Sequence, residues 1–442
     1  METKQTLARI FVGLLALLAV LGIVWVAYFS VPPATPEPDK PGTQAPLGTE
    51  PPSGQPGNGT PPQGREDTGP QFWFSRDDYA ISDPDADNQV AVFAVDTLSK
   101  WDNPERWPRT LDTMDVYVIQ SYLFNRGRPV ADAFADMCLE YPQYHLDGAD
   151  DRVQQCYNEY LRHVLTVLNT YGVELAIHAG PSKGYVAPDN PSGAPAKTTG
   201  LTETIKLIAW INEIGSELDP PYRVSYVKLQ SMLSGNPKVE EGHGLANGVV
   251  NTISFMKEVQ REFPDIRFVL GDALFQKRTD EIKGRGGETE ETWRDAYLAL
   301  KTALDEEVNS SGDIALKLDG IRIEWNRDWV GDPALAADTG FAELQGPNGV
   351  VEVAHDYGWR VGISHKAEPE SVDEFFDSRV FENRVLSIAK RSLESGIDVD
   401  TVFLSNGGGY LFPETTMPEE LGPNDSPTQA SIFLQLVALY EQ

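Results

Sequence analysis

Metal-ligand spacing is missing from this chain. Its 442 residues include two cysteines and six histidines. No CxxC, HxH or HExxH run occurs, so the usual zinc-module and metallopeptidase signatures are excluded. Basic residues are scarce too: 36 Lys and Arg stand against 67 Asp and Glu, a formal net charge of −31. Nucleic acid is therefore not an expected partner, because phosphate binding needs clustered Lys and Arg. The same charge disfavours flat association with anionic lipid and reads first as a solubilising surface. No tandem repeat is present, and VFAVDTLSKWD (92–102) lacks the Gly-rich turn that cradles a nucleotide phosphate.

One long apolar run does occur. Residues 10–29, IFVGLLALLAVLGIVWVAYF, carry no charge and as a helix would span about 30 Å, the thickness of a bilayer core. Lys4 and Arg9 precede it, which leaves residues 1–9 in the cytoplasm and sends the rest across. A cleaved signal peptide would have an apolar stretch of about 7–15 residues and a small-x-small site, whereas AYFSVPP follows here. The expectation is an uncleaved single-pass signal-anchor in the cell membrane. Residues 30–70 are rich in Pro, Gly and Thr and form the expected disordered linker. Residues 71–442 are then an extracytoplasmic folded domain. Cys138 and Cys156 both fall there, and a disulfide between them fits an oxidising compartment, stabilising by about 3 kcal/mol.

From residue 90 the chain alternates β-rich runs with amphipathic helical patterns. Strands are expected at 90–96, 115–124, 173–180, 225–233, 266–275, 318–325, 359–367 and 399–406. Helices are expected at 151–171, 201–218, 245–262, 288–308, 346–357, 372–395 and 427–441, with only a short segment at 97–114. Near-continuous apolar strands separated by helices imply a parallel sheet covered on both faces, and eight such units imply a (β/α)8 TIM barrel. An open doubly wound sheet is the alternative.

A barrel of this kind places its functional residues at the C-terminal strand ends. Those ends offer Asp96, Gln120 and Tyr122, His178, Gln230 and Ser231, Asp272, Glu324 and Asn326, His365, Lys366 and Glu368, and Ser405 and Asn406. Along LDGIRIEWNRDW (318–329), Ile321 and Ile323 alternate with Arg322, Glu324 and Asn326. If the isoleucines face the helices, Arg322 lies one layer below Glu324 and favours its ionised form. Glu324 is then the expected nucleophile or base, with Asp272 or Asp96 as second acid, since glycoside hydrolysis uses two carboxyl groups. Trp101, Trp107, Trp325 and Trp329 follow strands one and six, and with Tyr122 they suit stacking on sugar rings. His178, Gln230, Asn326, His365, Lys366 and Asn406 are expected substrate contacts. A structural ion pair for Glu324 and core packing for the tryptophans are the competing readings.

At fold level these features resemble membrane-anchored or secreted barrel glycosidases that trim polysaccharides. Strand four ends KLQSML, without the Asn-Glu pair of the large retaining clan or the spaced aspartates of chitinases. The expectation is a carboxylate-dependent hydrolase of a polysaccharide, with no cofactor, the bilayer as partner of the N-terminal helix and no nucleic acid. Two alternatives stay open. One is a non-catalytic glycan-binding barrel. The other is a metal-dependent hydrolase or isomerase using His178, His365, Asp272 and Glu324.

Overall fold

The computed structural model describes residues 69–75, 104–120, 151–179, 184–191, 193–230, 232–233, 245–272, 293–311, 316–324, 344, 348–365, 378–405 and 427–441. All of them belong to the second of two units, Pro62–Gln442. The expected membrane helix at 10–29 lies outside the described residues. Among the described residues no helix is long and apolar enough to cross a membrane.

The described residues form eight strands and eight α-helices. The strands are β1 (Gln71–Ser75), β2 (Val116–Gln120), β3 (Glu174–Ala179), β4 (Val224–Gln230), β5 (Arg267–Asp272), β6 (Leu318–Glu324), β7 (Arg360–His365) and β8 (Thr401–Ser405). The helices are α1 (Pro108–Thr113), α2 (Asp151–Tyr171), α3 (Thr199–Gly215), α4 (Leu245–Glu262), α5 (Trp293–Ser311), α6 (Val350–Asp356), α7 (Ser378–Glu394) and α8 (Gln429–Tyr440). All strand pairs are parallel, and β8 closes on β1. Strands two to eight and the long helices stand where the apolar runs and helical periodicity place them.

Strand one is a correction. The run at 90–96 lies outside the described residues, and the barrel closes without it. Its place is taken by QFWFS, which pairs with β2 through Trp73 and Val116 and with β8 through Phe72 and Val402. Five residues directly after a Pro/Gly-rich stretch give little periodic signal, but aromatic and β-branched partners on both sides hold them extended. Asp96 follows β1 in the sequence and lies outside the described residues.

The register proves the barrel geometry. Stepping one residue forward at each strand leads from Trp73 through Tyr117, Ala176, Val227, Val269, Ile321, Gly362 and Val402 back to Trp73. A shift of one residue per strand over eight strands is a shear of eight, that of the (β/α)8 barrel. Alternate members of this ring face inward. Trp73, Ala176 and Val269 belong to the small inner cluster, and Tyr117, Val227, Ile321 and Val402 to the large layer between sheet and helices.

Helix α8 seals the seam between β8 and β1. Thr428 and Ser431 form a reciprocal capping box at its start, at 3.0 and 2.8 Å. Gln429 donates from Nε2 to the Ser75 carbonyl at 2.8 Å, and Phe433 meets Phe74 edge-on at 5.2 Å between ring centres.

Candidate functional site

The same register sorts the interior into tiers of four, contributed alternately by odd and even strands. The lowest tier holds Gln71, Glu174, Arg267 and Arg360. Arg267 pairs with Glu174, and Arg360 with Asp319, the extra residue where the β5 and β6 register slips. Tyr226 sits above them, donating to Glu174 at 3.3 Å and accepting from Arg360 at 3.2 Å. Burial pushes the Tyr226 hydroxyl up to about 12, so it remains a donor. This closed network plugs the N-terminal end.

The middle is apolar and aromatic. Arg267 lies 3.8 Å from the centre of the Tyr226 ring. Tyr226 is 4.8 Å from Trp73, Trp73 is 4.5 Å from Phe403, and Arg322 lies 4.8 Å over Phe403. A stack of three rings capped by a guanidinium at each end thus runs up the lumen. Gly362 makes room for it: a Cβ there would meet Phe403 Cε2 at 2.5 Å and Thr401 Oγ1 at 2.3 Å.

From the level of Phe403, the top ring of the stack, upward the interior turns polar. One tier consists of Val118, Lys228, Arg322 and Phe403, the next of Ser75, His178, Gly271 and Ser364, and the last of Gln120, Gln230, Glu324 and Ser405. Lys228 is 1% exposed, Arg322 3% and His178 5%. Arg322 donates from Nη2 to Ser364 Oγ at 2.6 Å. Ser364 is in turn the register partner of Glu324. The guanidinium on β6 is therefore anchored on the β7 position directly opposite the carboxylate residue.

Of the expected site residues, Gln230 and His178 share the inner face, and the register positions of Glu324 and Gln120 have the same parity. Lys228, Ser75 and Ser364 join them and were not among the sequence candidates. Lys228 carried a usable signal, since it stands two residues before Gln230 in VSYVKLQ and so on the same face.

Three expectations change. His365 pairs with Leu404 of the outer layer, is wholly buried, and lies 3.0 Å from the Tyr440 hydroxyl of α8 through Nε2. Burial lowers its pKa to about 4. It is a neutral packing residue behind the sheet rather than a substrate contact, and His178 and His365 stand on opposite faces, which breaks the four-residue metal set. Trp107 is 0% exposed, at the start of α1 within the layer between sheet and helices. It packs the core and cannot stack on a sugar. Asp272 pairs with Ile323, of the outer layer, so its register position is opposite in parity to Arg322 and Glu324.

Asp96, Trp101, Tyr122, Cys138, Trp325, Asn326, Trp329, Lys366 and Asn406 lie outside the described residues, as do the side chains of Cys156, Asp272 and Glu324.

No protein-family model and no curated protein sequence matches the chain. Solved structures do. An intracellular xylanase of Thermoanaerobacterium saccharolyticum, solved with xylotriose, aligns at 9% identity over 76% of this chain and 86% of that one, TM-score 0.36. A GH10 endoxylanase from a sugarcane soil metagenome aligns at 9% identity over 84% and 97%, TM-score 0.39. A GH138 enzyme targeting pectin rhamnogalacturonan II aligns at 10% identity over 77% of this chain and 35% of its own length, TM-score 0.36. Likeness at this level carries no argument about chemistry. The barrel stands on the strand pairing itself.

Proposed function

We propose that this chain is a glycoside hydrolase-like barrel acting on a polysaccharide outside the cytoplasm, tethered to the membrane by residues 10–29. The observation that carries the reading is the change of character along the lumen. It is apolar and aromatic through its middle, then polar in the last two tiers at the C-terminal end, where barrels hold their sites. By register Glu324 takes the last inner position of β6, two residues above the buried Arg322. Glu324 acts as nucleophile or base. With Asp272 on the other parity, the second acid comes from a strand-to-helix connection, with Asp96 after β1 as the candidate. His178 and Gln230 contact substrate.

The test uses the full-length protein in detergent, incubated with a panel of polysaccharides while released reducing ends are measured. Glu324→Gln should lose at least about a hundredfold in turnover on a cleaved substrate. Undiminished turnover overturns the role of Glu324. Protease treatment of intact cells checks the topology: residues 71–442 should be digested and 1–9 protected.

One observation favours a second reading. Among the described residues, Glu324 is the single carboxylate position in the three upper inner tiers, while hydrolysis takes two. A non-catalytic glycan-binding barrel would bind the same sugars with no turnover by wild type.

A further inference from the structure

Outside the lumen, the β3–α3 connection, α4 and α5 frame a groove of about 650 Å³. One wall is built in advance. The buried carboxamide of Asn251 on α4 accepts from Ala187 N and from Asn190 Nδ2, both at 2.9 Å. Tyr185 Oη lies 2.9 Å from Ser254 Oγ, and its ring meets Phe255 edge-on at 5.4 Å between centres. Pro188 and Asp189, between these anchors, are thereby held on the rim with exposed side chains. The floor is aliphatic: Val249 and Ile253 of α4, with Val250 and Ala303, which are partly buried at the edge of the core. Along α4 the lining runs from Val249 to Arg261, about 18 Å of helix. Lys257 of α4 reaches Glu307 of α5 at 2.7 Å, and Arg261 pairs with Glu258 at 2.5 Å. Both cations of the lining are thus engaged. The other two lining carboxylates, Asp189 and Glu306, carry no ion pair among the described residues.

The lining excludes several ligand classes. It contains no aromatic ring on which a sugar could stack. Its cations are already paired, so an anion gains little there. Among the described residues no three His, Cys, Asp or Glu side chains could hold a metal ion together. A second copy of this chain is a poor occupant, since a net charge of −31 repels its like. What remains is an organic cation with an alkyl body. We propose that the groove binds an aliphatic polyamine, its methylene chain on the floor of Val249, Val250, Ile253 and Ala303 and its ammonium groups at Asp189 and Glu306. Methylene groups gain by leaving water for an aliphatic floor. An ammonium is a compact charge with several donors for a carboxylate. The Tyr185 hydroxyl reports the local field: burial raises its pKa, and the Glu258 and Asp189 carboxylates raise it further. Because the neighbours of Asp189 are tied to Asn251, binding orders the ligand and not the wall.

The experiment titrates spermidine into the full-length protein in a neutral detergent, followed by calorimetry. Salt is held at about 150 mM, where the general field of the acidic surface is screened beyond about 8 Å. Mg²⁺ and tri-lysine are titrated alongside. Wild type should show one saturable spermidine site that Mg²⁺ at equal concentration does not displace. Asp189→Asn and Glu306→Gln, both at exposed positions that spare the fold, should each weaken it about two- to fivefold, and the double variant about fivefold or more. Val250→Thr, which puts a hydroxyl on the floor, should weaken it too, with thermal unfolding retained. Glu213→Gln, an exposed carboxylate on α3 outside the lining, should change nothing. Absence of a saturable site, equal binding by wild type and the groove variants, or displacement by Mg²⁺ overturns the proposal. Tighter binding of tri-lysine than of spermidine, lost in the same variants, overturns it in favour of a groove for basic peptides.

Discussion

Arg322 and Phe403 meet inside the barrel, the guanidinium carbon 4.8 Å from the ring centre, at the level where the lumen changes from apolar to polar. The contact belongs to two systems at once. Downward, Phe403 continues the ring stack through Trp73 and Tyr226 to the lower plug. Upward, Arg322 is bonded to Ser364 beneath the Glu324 position. The aromatic stack thus serves as the rigid support on which the polar end is mounted, the arrangement a site needs if its groups are to be held without reorganisation.

Phe403→Leu tests that support. The substitution removes one ring–ring contact and one cation–ring contact, together worth about 1–3 kcal/mol. Urea unfolding of the full-length protein should show a loss of that size. Affinity for the sugar that wild type binds best should fall as well, because the guanidinium loses the face it rests on. Lowered stability with unchanged affinity would make the stack a packing device alone.

Gly362→Ala adds a single methyl group and should act through crowding. The new Cβ would stand 2.5 Å from the Phe403 ring and 2.3 Å from Thr401 Oγ1. Both neighbours are buried barrel residues with little room to yield, so the expected loss is about 1–3 kcal/mol. Gly358→Ala is a useful contrast. Nothing lies within 4 Å of its added methyl, but its φ of +74° penalises any side chain. The first variant should disturb the near-ultraviolet signal of the buried rings, and the second should not.

Trp107→Phe addresses the aromatic residue that left the expected cleft. Its indole is inaccessible, so the substitution should lower stability through a core cavity and leave sugar binding and turnover unchanged. Titration with sugar, followed by calorimetry, is the check. Weakened binding at retained stability would restore Trp107 to the cleft.

Seven strands and the long helices were legible because a barrel strand is apolar on both faces and a covering helix is apolar on one. Strand β1 was hidden because QFWFS is short and a more apolar run, VAVFAVD, follows it within twenty residues. The site was legible only in part, and the reason is parity. His178 and His365 both end apolar strands, yet a shift of one residue sends a side chain to the other face of the sheet. His178 points with Lys228 into the lumen and His365 with Leu404 toward the helices. The same slip separates Asp272 from Glu324. In KLQ the terminal amide gives the stronger signal of a strand-end polar group, yet Lys228, two residues before Gln230, must share its face.

The buried His365 predicts an acid-sensitive fold. Its pKa is lowered to about 4 in the folded chain by burial, against an unfolded value of about 6.5. Above pH 6.5 the imidazole is neutral in both states and the term is absent from any pH dependence. Between about 6.5 and 4 the unfolded chain binds the proton and the folded chain does not, so stability falls as pH falls. Below about 4 both states are protonated and the loss levels off, at a size on the order of 3 kcal/mol. Carboxylates titrate nearby, so the measurement is a difference: urea midpoints of wild type and His365→Gln from pH 7.5 to 4. Glutamine keeps a group able to bond the Tyr440 hydroxyl but cannot take up the proton. The variant should be less stable at pH 7 and lose less on acidification, the two curves converging toward pH 4. Parallel curves would mean that the His365 proton does not distinguish folded from unfolded chain.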